Sequence, residues 1–321
     1  MPSAVHPAPA AADAPFLDLL GARITLAGAD RALLELPYQD DNGNRNGTLH
    51  GGVVAAVIDV AAAAVADSGL PAARRAGAST IDFNVHFLAP AIREAVAAEA
   101  TVVRRGRDIT FVEVAVVTGA RTIARGMVAR RAGAGDAGNT AGAGHAADAG
   151  RTTDGGRTTG GGRAAGAAAD ATPTANPRLP AVADDAFLRR NVGSPFTMRL
   201  GVASVHLGRG HAMALLPLQE QTRDAAGTVH EGAIAALVDC AGGAASWSVD
   251  GFDPSGRAAT IGMHLCFDVG TRDENVAAEA VTTWHGEGVY VNSLTVAGRT
   301  SGRAIASGSV TYRIVRPPRT R

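Results

Sequence analysis

Apolar and polar positions alternate in two long blocks, separated by a stretch almost without apolar side chains. In the first block, residues of about 22–28 and 31–37 read as two short strands. Gly52 to about Asp67 reads as a helix, and residues near 78–88, 94–105, 109–118 and 121–130 read as four further strands. Period-2 alternation is clearest in "TIDFNVHF" (80–87) and "TFVEVAVV" (110–117). The helix is rich in alanine, which favours helix and permits close packing. One central helix among antiparallel strands predicts an α+β unit whose sheet wraps the helix.

The second block repeats the first at an offset of 180 residues. Leu20-Gly21 matches Leu200-Gly201, "LPYQD" at 36–40 matches "LPLQE" at 216–220, and "VAAEA" stands at both 96–100 and 276–280. Asp59 matches Asp239 and Thr80 matches Thr260. After Gly106 and Gly286 the offset grows to 182, so that "ARTIARG" at 120–126 pairs with "GRAIASG" at 302–308. The chain is one unit written twice. The expected division is a disordered N-terminus at 1–14, a first repeat at 15–131, a disordered Gly/Ala-rich linker at 132–183 and a second repeat at 184–321. "RTTDGGRTTGGGRAAGAAAD" within the linker has too few apolar side chains to offset the entropy of ordering.

Composition narrows the classes. The chain has 321 residues, enough for two ordinary cores, with 30 basic residues against 30 acidic ones. This balance predicts neither a nucleic-acid nor a membrane partner. Cys240 and Cys266 lack metal-ligand spacing, so no metal, cofactor or disulfide is expected. "MPSAVHPAPAAADAP" has no basic n-region or apolar h-region, and the apolar run Val53 to Ala66 is interrupted by Asp59 and short for a membrane span. A cytoplasmic protein is the expectation.

The candidate chemistry lies where each helix begins. "NRNGTLHGGVVAAVID" at 44–59 has a counterpart in "DAAGTVHEGAIAALVD" at 224–239. The spacing NxxGxxHGGxxxxxxD, together with "FLAP" after the third strand, resembles the PaaI-like acyl-CoA thioesterases of the hotdog superfamily. The resemblance implies tandem hotdog folds, each a helix wrapped by an antiparallel sheet, pairing as an intramolecular pseudo-dimer. It leaves open a further dimerisation to a tetramer-like assembly. It also implies an acyl-CoA substrate and two sites at the repeat interface. One site combines Asn44, His50 and Gly51 with Asp239 and Thr260. The other combines Asp59 and Thr80 with Asp224, His230 and Glu231.

Thioester hydrolysis needs a polarised carbonyl and an aimed water or carboxylate. A helix N-terminus offers unpaired N–H groups and positive potential, and glycine at 51 lets an acyl group approach them. Asp239 is expected to be base or nucleophile, Thr260 to hold its water, and Asn44 to donate to either. Each residue also has a plainer reading. The glycines could serve helix packing, His50 and His230 could satisfy loop backbone, and Asn44 could be a turn residue. In the second site Asp224 and Glu231 replace Asn44 and Gly51. Their added negative charge is expected to oppose an oxyanion and leave one working site. Alternatives to a thioesterase for aryl- or medium-chain acyl-CoA are a hotdog enoyl-CoA hydratase or dehydratase, or a non-catalytic acyl-CoA-binding module. Arg104, Arg105 and Arg107 form the nearest basic cluster for CoA phosphates.

Overall fold

The computed structural model describes residues 15–28, 30–44, 46–134, 194–224, 226–250, 255–268 and 272–316. The N-terminal segment 1–14 and most of the expected linker, 135–183, lie outside these residues. At the near end of that linker, Ala132 N donates to Asp108 O and Gly133 N to Arg74 O, so these two residues still belong to the packed repeat.

The first repeat runs α1 (Pro15–Leu20), β1 (Arg23–Ala27), β2 (Arg31–Leu36), α2 (Gly51–Ser68), the short α3 (Ala72–Arg75), β3 (Ser79–Phe87), β4 (Val96–Arg105), β5 (Ile109–Thr118) and β6 (Arg121–Arg131). The second runs α4 (Pro195–Arg199), β7 (Ala203–Gly208), β8 (His211–Leu216), α5 (Glu231–Asp250), β9 (Arg257–Phe267), β10 (Val276–Gly286), β11 (Val289–Gly298) and β12 (Ala304–Val315). The expected strands and central helix therefore form within one or two residues of their predicted ends. The short helices α1 and α4 had no periodic signal, since five or six residues are too few to show one. Capping still marks α4: Ser194 accepts from Thr197 N while Thr197 Oγ1 accepts from Ser194 N, and Pro195 follows the cap.

All twelve strands form one antiparallel sheet, in the order β1-β2-β4-β5-β6-β3-β9-β12-β11-β10-β8-β7. The repeats join edge to edge where β3 pairs with β9, with Asn84 opposite His264. The two central helices meet each other. An ideal Cβ on Gly52 would lie 2.8 Å from Ala236 Cα, and one on Gly232 would lie 3.2 Å from Ala56 Cα. The helices thus cross antiparallel at a separation that only small residues allow. The first-turn helices exchange sides. Phe16 of α1 packs on His230 of the second repeat, with ring centroids 4.7 Å apart, and Phe196 of α4 packs on His50 of the first, at 5.4 Å. The chain is a tandem double hotdog, closed as a pseudo-dimer within one polypeptide.

Burial on every side explains why neither central helix has a clear amphipathic stripe. They have 18 and 20 residues, long and apolar enough to cross a bilayer, but 83% and 78% of their most apolar windows are buried inside the protein. The expected shortness of the apolar run is therefore corrected, and the sheet accounts for the apolarity instead.

Candidate active site

Each cluster begins at a helix N-terminus packed on a carboxylate from the other repeat. In the first cluster His50 is the N-cap of α2, and its Nδ1 accepts from Gly52 N at 3.0 Å. The amides of Val53 and Val54 close on His50 O. Among the described residues, Gly51 N–H is left as the first-turn amide without a protein acceptor. An ideal Cβ on Gly51 would lie 2.9 Å from Asp239 Oδ2 and 3.2 Å from Oδ1. Asp239 is buried in the first turns of α5, and Thr260 on β9 donates to its Oδ1 at 2.5 Å.

His50 Nδ1 also lies 3.2 Å from Asp239 Oδ2. The Gly52 N–H already occupies the Nδ1 lone pair, so the ring proton belongs on Nε2. Burial pushes the His50 pKa below 6.5, against the opposing field of Asp239. His50 is thus a neutral cap, the plainer of its two sequence readings.

Asn44 enters through its backbone: its N donates to Thr48 O and its O accepts from Gly47 N. It shapes the turn, and of the two acceptors expected for its amide, the carboxylate and its water, Asp239 is not bonded. The bottom of the first cluster is lined by Tyr312. This residue faces Thr260 across the β9–β12 ladder, and its phenol is kept neutral by burial and by the field of Asp239.

The second cluster reverses the chemistry at these matched places. Thr80 donates to Asp59 Oδ1 at 2.7 Å, and His230 Nδ1 accepts from Gly232 N at 2.9 Å. Here, though, Arg130 faces Thr80 where Tyr312 faces Thr260. Arg130 grips Asp67 with two hydrogen bonds, at 2.9 and 2.8 Å, and donates to Thr80 Oγ1 at 3.2 Å. Burial works against its charge, but Asp67, Glu231 and Asp59 outweigh this and raise its pKa. On the other side, Arg272 Nη1 lies 2.9 Å from Glu231 Oε1, and Arg272 Nη2 lies 3.1 Å from Asp224 Oδ2.

The expected charge imbalance is therefore corrected. Asp224 accepts from Ala226 N, Thr228 N and Thr228 Oγ1, so it builds the turn. Burial alone would raise its pKa, but the Thr228 bonds and Arg272 lower it. Glu231 is buried between Arg272 and Arg130, 4.0 Å from the latter. The acids are compensated, and the second cluster is filled by an ion-pair network. Arg130, Arg272 and Tyr312 carried no local motif; aligning the repeats at offset 182 sets Arg130 beside Tyr312 and could have found that difference.

The expected CoA-phosphate cluster also changes. Arg105 donates to Ala66 O at 2.8 Å and Val65 O at 3.2 Å, satisfying carbonyls at the end of α2. Arg104 and Arg107 are exposed. A separate cleft of about 460 Å³ is lined by Pro15, Asp18, Leu19, Arg199, Glu220 and Gln221, none of which belongs to either carboxylate cluster.

Comparison with known proteins agrees with this architecture. The family model described as thioesterase superfamily matches residues 46–137. A candidate esterase of Halobacterium salinarum is 37% identical over 110 residues, which cover 33% of this chain and 72% of that protein. Two solved structures share the fold at low identity. The tesB protein of Mycobacterium avium subsp. paratuberculosis is 12% identical, with a TM-score of 0.59 and coverage of 94% of this chain and 100% of that one. An acyl-CoA thioesterase II of Mycobacterium marinum is 13% identical, with a TM-score of 0.57 and coverage of 94% and 99%. The chain belongs to the thioesterase superfamily.

Proposed function

We propose that the chain is a PaaI-like acyl-CoA thioesterase, hydrolysing an aryl- or medium-chain acyl-CoA to free acid and CoA at one site between its repeats. The supporting observation is the bare α-carbon of Gly51 set against the Asp239 carboxylate of the other repeat. Together they put an N–H donor and a buried anion within reach of one thioester carbon.

In this reading the Gly51 N–H, at the positive end of α2, receives the thioester oxygen as it becomes an oxyanion. Asp239 takes a proton from water as that water bonds to the carbonyl carbon. The carbon–sulfur bond then breaks, and the proton passes to the departing CoA thiolate. Thr260 holds Asp239 by Oδ1, which leaves Oδ2 facing Gly51 and the water. Neutral His50 braces the helix start and offers Nε2–H without placing a cation beside the base. The second cluster lacks this vacancy. Its glycine is replaced by Glu231, whose carboxylate is buried and ion-paired with Arg272.

The test is incubation of the purified chain with a panel of acyl-CoA thioesters and a thiol reagent. Release of one thiol per thioester consumed supports hydrolysis. Hydration of an enoyl-CoA without thiol release would support the hydratase alternative, and binding without turnover would support a binding module.

A further inference from the structure

We propose that the outer face of the sheet carries a site for a divalent metal ion of zinc type, built across the β3–β9 seam from Asp82, His264 and Cys266. His264 Nε2 lies 2.9 Å from Asp82 Oδ2. Cys266 Sγ lies 3.7 Å from Asp82 Oδ2 and 3.8 Å from His264 Nε2. One nitrogen, one oxygen and one sulfur atom thus converge, a set that suits a borderline-soft ion. With ordinary zinc bond lengths and tetrahedral angles, such ligand atoms stand about 3.3–3.6 Å apart. The three observed separations bracket that range, so small side-chain rotations complete the triangle. The fourth position faces solvent, since Cys266 is exposed and Asp82 and His264 are about half exposed.

The sheet register supplies the rigidity. Asp82 pairs directly with Cys266, and Asn84 with His264, while His264 and Cys266 are two residues apart and so share a face. Repeat symmetry does not generate the cluster. At the symmetry-related places stand Gly262 for Asp82, Asn84 for His264 and His86 for Cys266. All three ligands are departures from the duplicated pattern, gathered on one side of the pseudo-twofold. Neither carboxylate cluster uses them. Binding displaces the Cys266 thiol proton to solvent, moves the His264 Nε2 proton to Nδ1, and replaces the His264–Asp82 hydrogen bond by two metal bonds. Because Asp82 belongs to one repeat and the other ligands to the second, the ion bridges the seam.

Cobalt(II) is the probe, because a thiolate–cobalt bond gives a near-ultraviolet charge-transfer band. Titration of the full-length chain should saturate that band at one ion per chain and raise Tm. Zinc should displace the cobalt. Cys266→Ser should abolish the band and the Tm rise, Cys240→Ser should keep both, and Asp82→Asn or His264→Gln should weaken binding at least about 10-fold. Tm without metal checks that each variant folds. Absence of the band in the parent chain, its survival in Cys266→Ser, or its loss in Cys240→Ser would overturn the proposal.

Discussion

Gly51 and Asp239 belong to different repeats, yet a Cβ on Gly51 would meet the Asp239 carboxylate at 2.9 Å. Few side chains could share that space without moving the helix or the acid. The relationship makes one carboxylate accessible from a helix N-terminus. Its counterpart, Asp59, faces Glu231 and an arginine network instead.

Replacing Gly51 by alanine tests that contact. The methyl group leaves the residue-51 N–H in place but is expected to displace Asp239 or tilt the first turn of α2, misaligning base and donor and lowering kcat about 100-fold. Tm should change little. Steady-state kinetics with the best acyl-CoA, beside a thermal melt, check the split.

Arg272→Met should act on stability. It removes the cation that holds buried Glu231 at 2.9 Å and half-buried Asp224 at 3.1 Å, and breaking the buried Glu231 pair costs about 3–5 kcal/mol. Urea unfolding at neutral pH should show the loss. Unchanged stability at neutral pH would mean that Arg130 alone balances the acids.

The pH dependence of His50 follows from its depressed pKa. The unfolded chain binds the imidazole proton below about 6.5, whereas the folded chain refuses it until lower pH. Stability is therefore fully present above about pH 6.5 and declines as pH falls toward the folded value. His50→Asn keeps an N-cap acceptor and lacks the titrating ring, so its Tm should fall less between pH 7 and 5 than that of the parent. An identical slope would place the acid sensitivity in other groups.

The duplicated pattern was legible because each repeat carries the same strand alternation and the same Gly-rich helix start. The pairing of the sites across repeats followed from a resemblance, since sequence spacing does not say which helix faces which. What remained hidden was long-range. Arg272 meets Glu231 from 41 residues away in sequence, and Arg130 meets Thr80 across a ladder, so no local window contains either pair. This is also why Asp224 and Glu231 read as bare acids. Reverting them to Asn and Gly would now be expected to strand Arg272, so a second working site needs that arginine and Arg130 changed too. His50 shows the opposite limit. Its place before a helix was visible, but only the Gly52 N–H bond to Nδ1 decides which nitrogen is free.

Comparison of Asp239→Asn with Asp59→Asn tests the single-site account most directly. Both residues occupy matched positions, and both accept a threonine hydrogen bond. In the first cluster the substitution removes the proposed base, and kcat should fall by at least about 100-fold with little change in Tm. In the second it alters a structural network, so Tm should fall while kcat of the folded fraction stays within a few-fold of the parent. Equal losses of kcat from both substitutions, at unchanged Tm, would contradict the account.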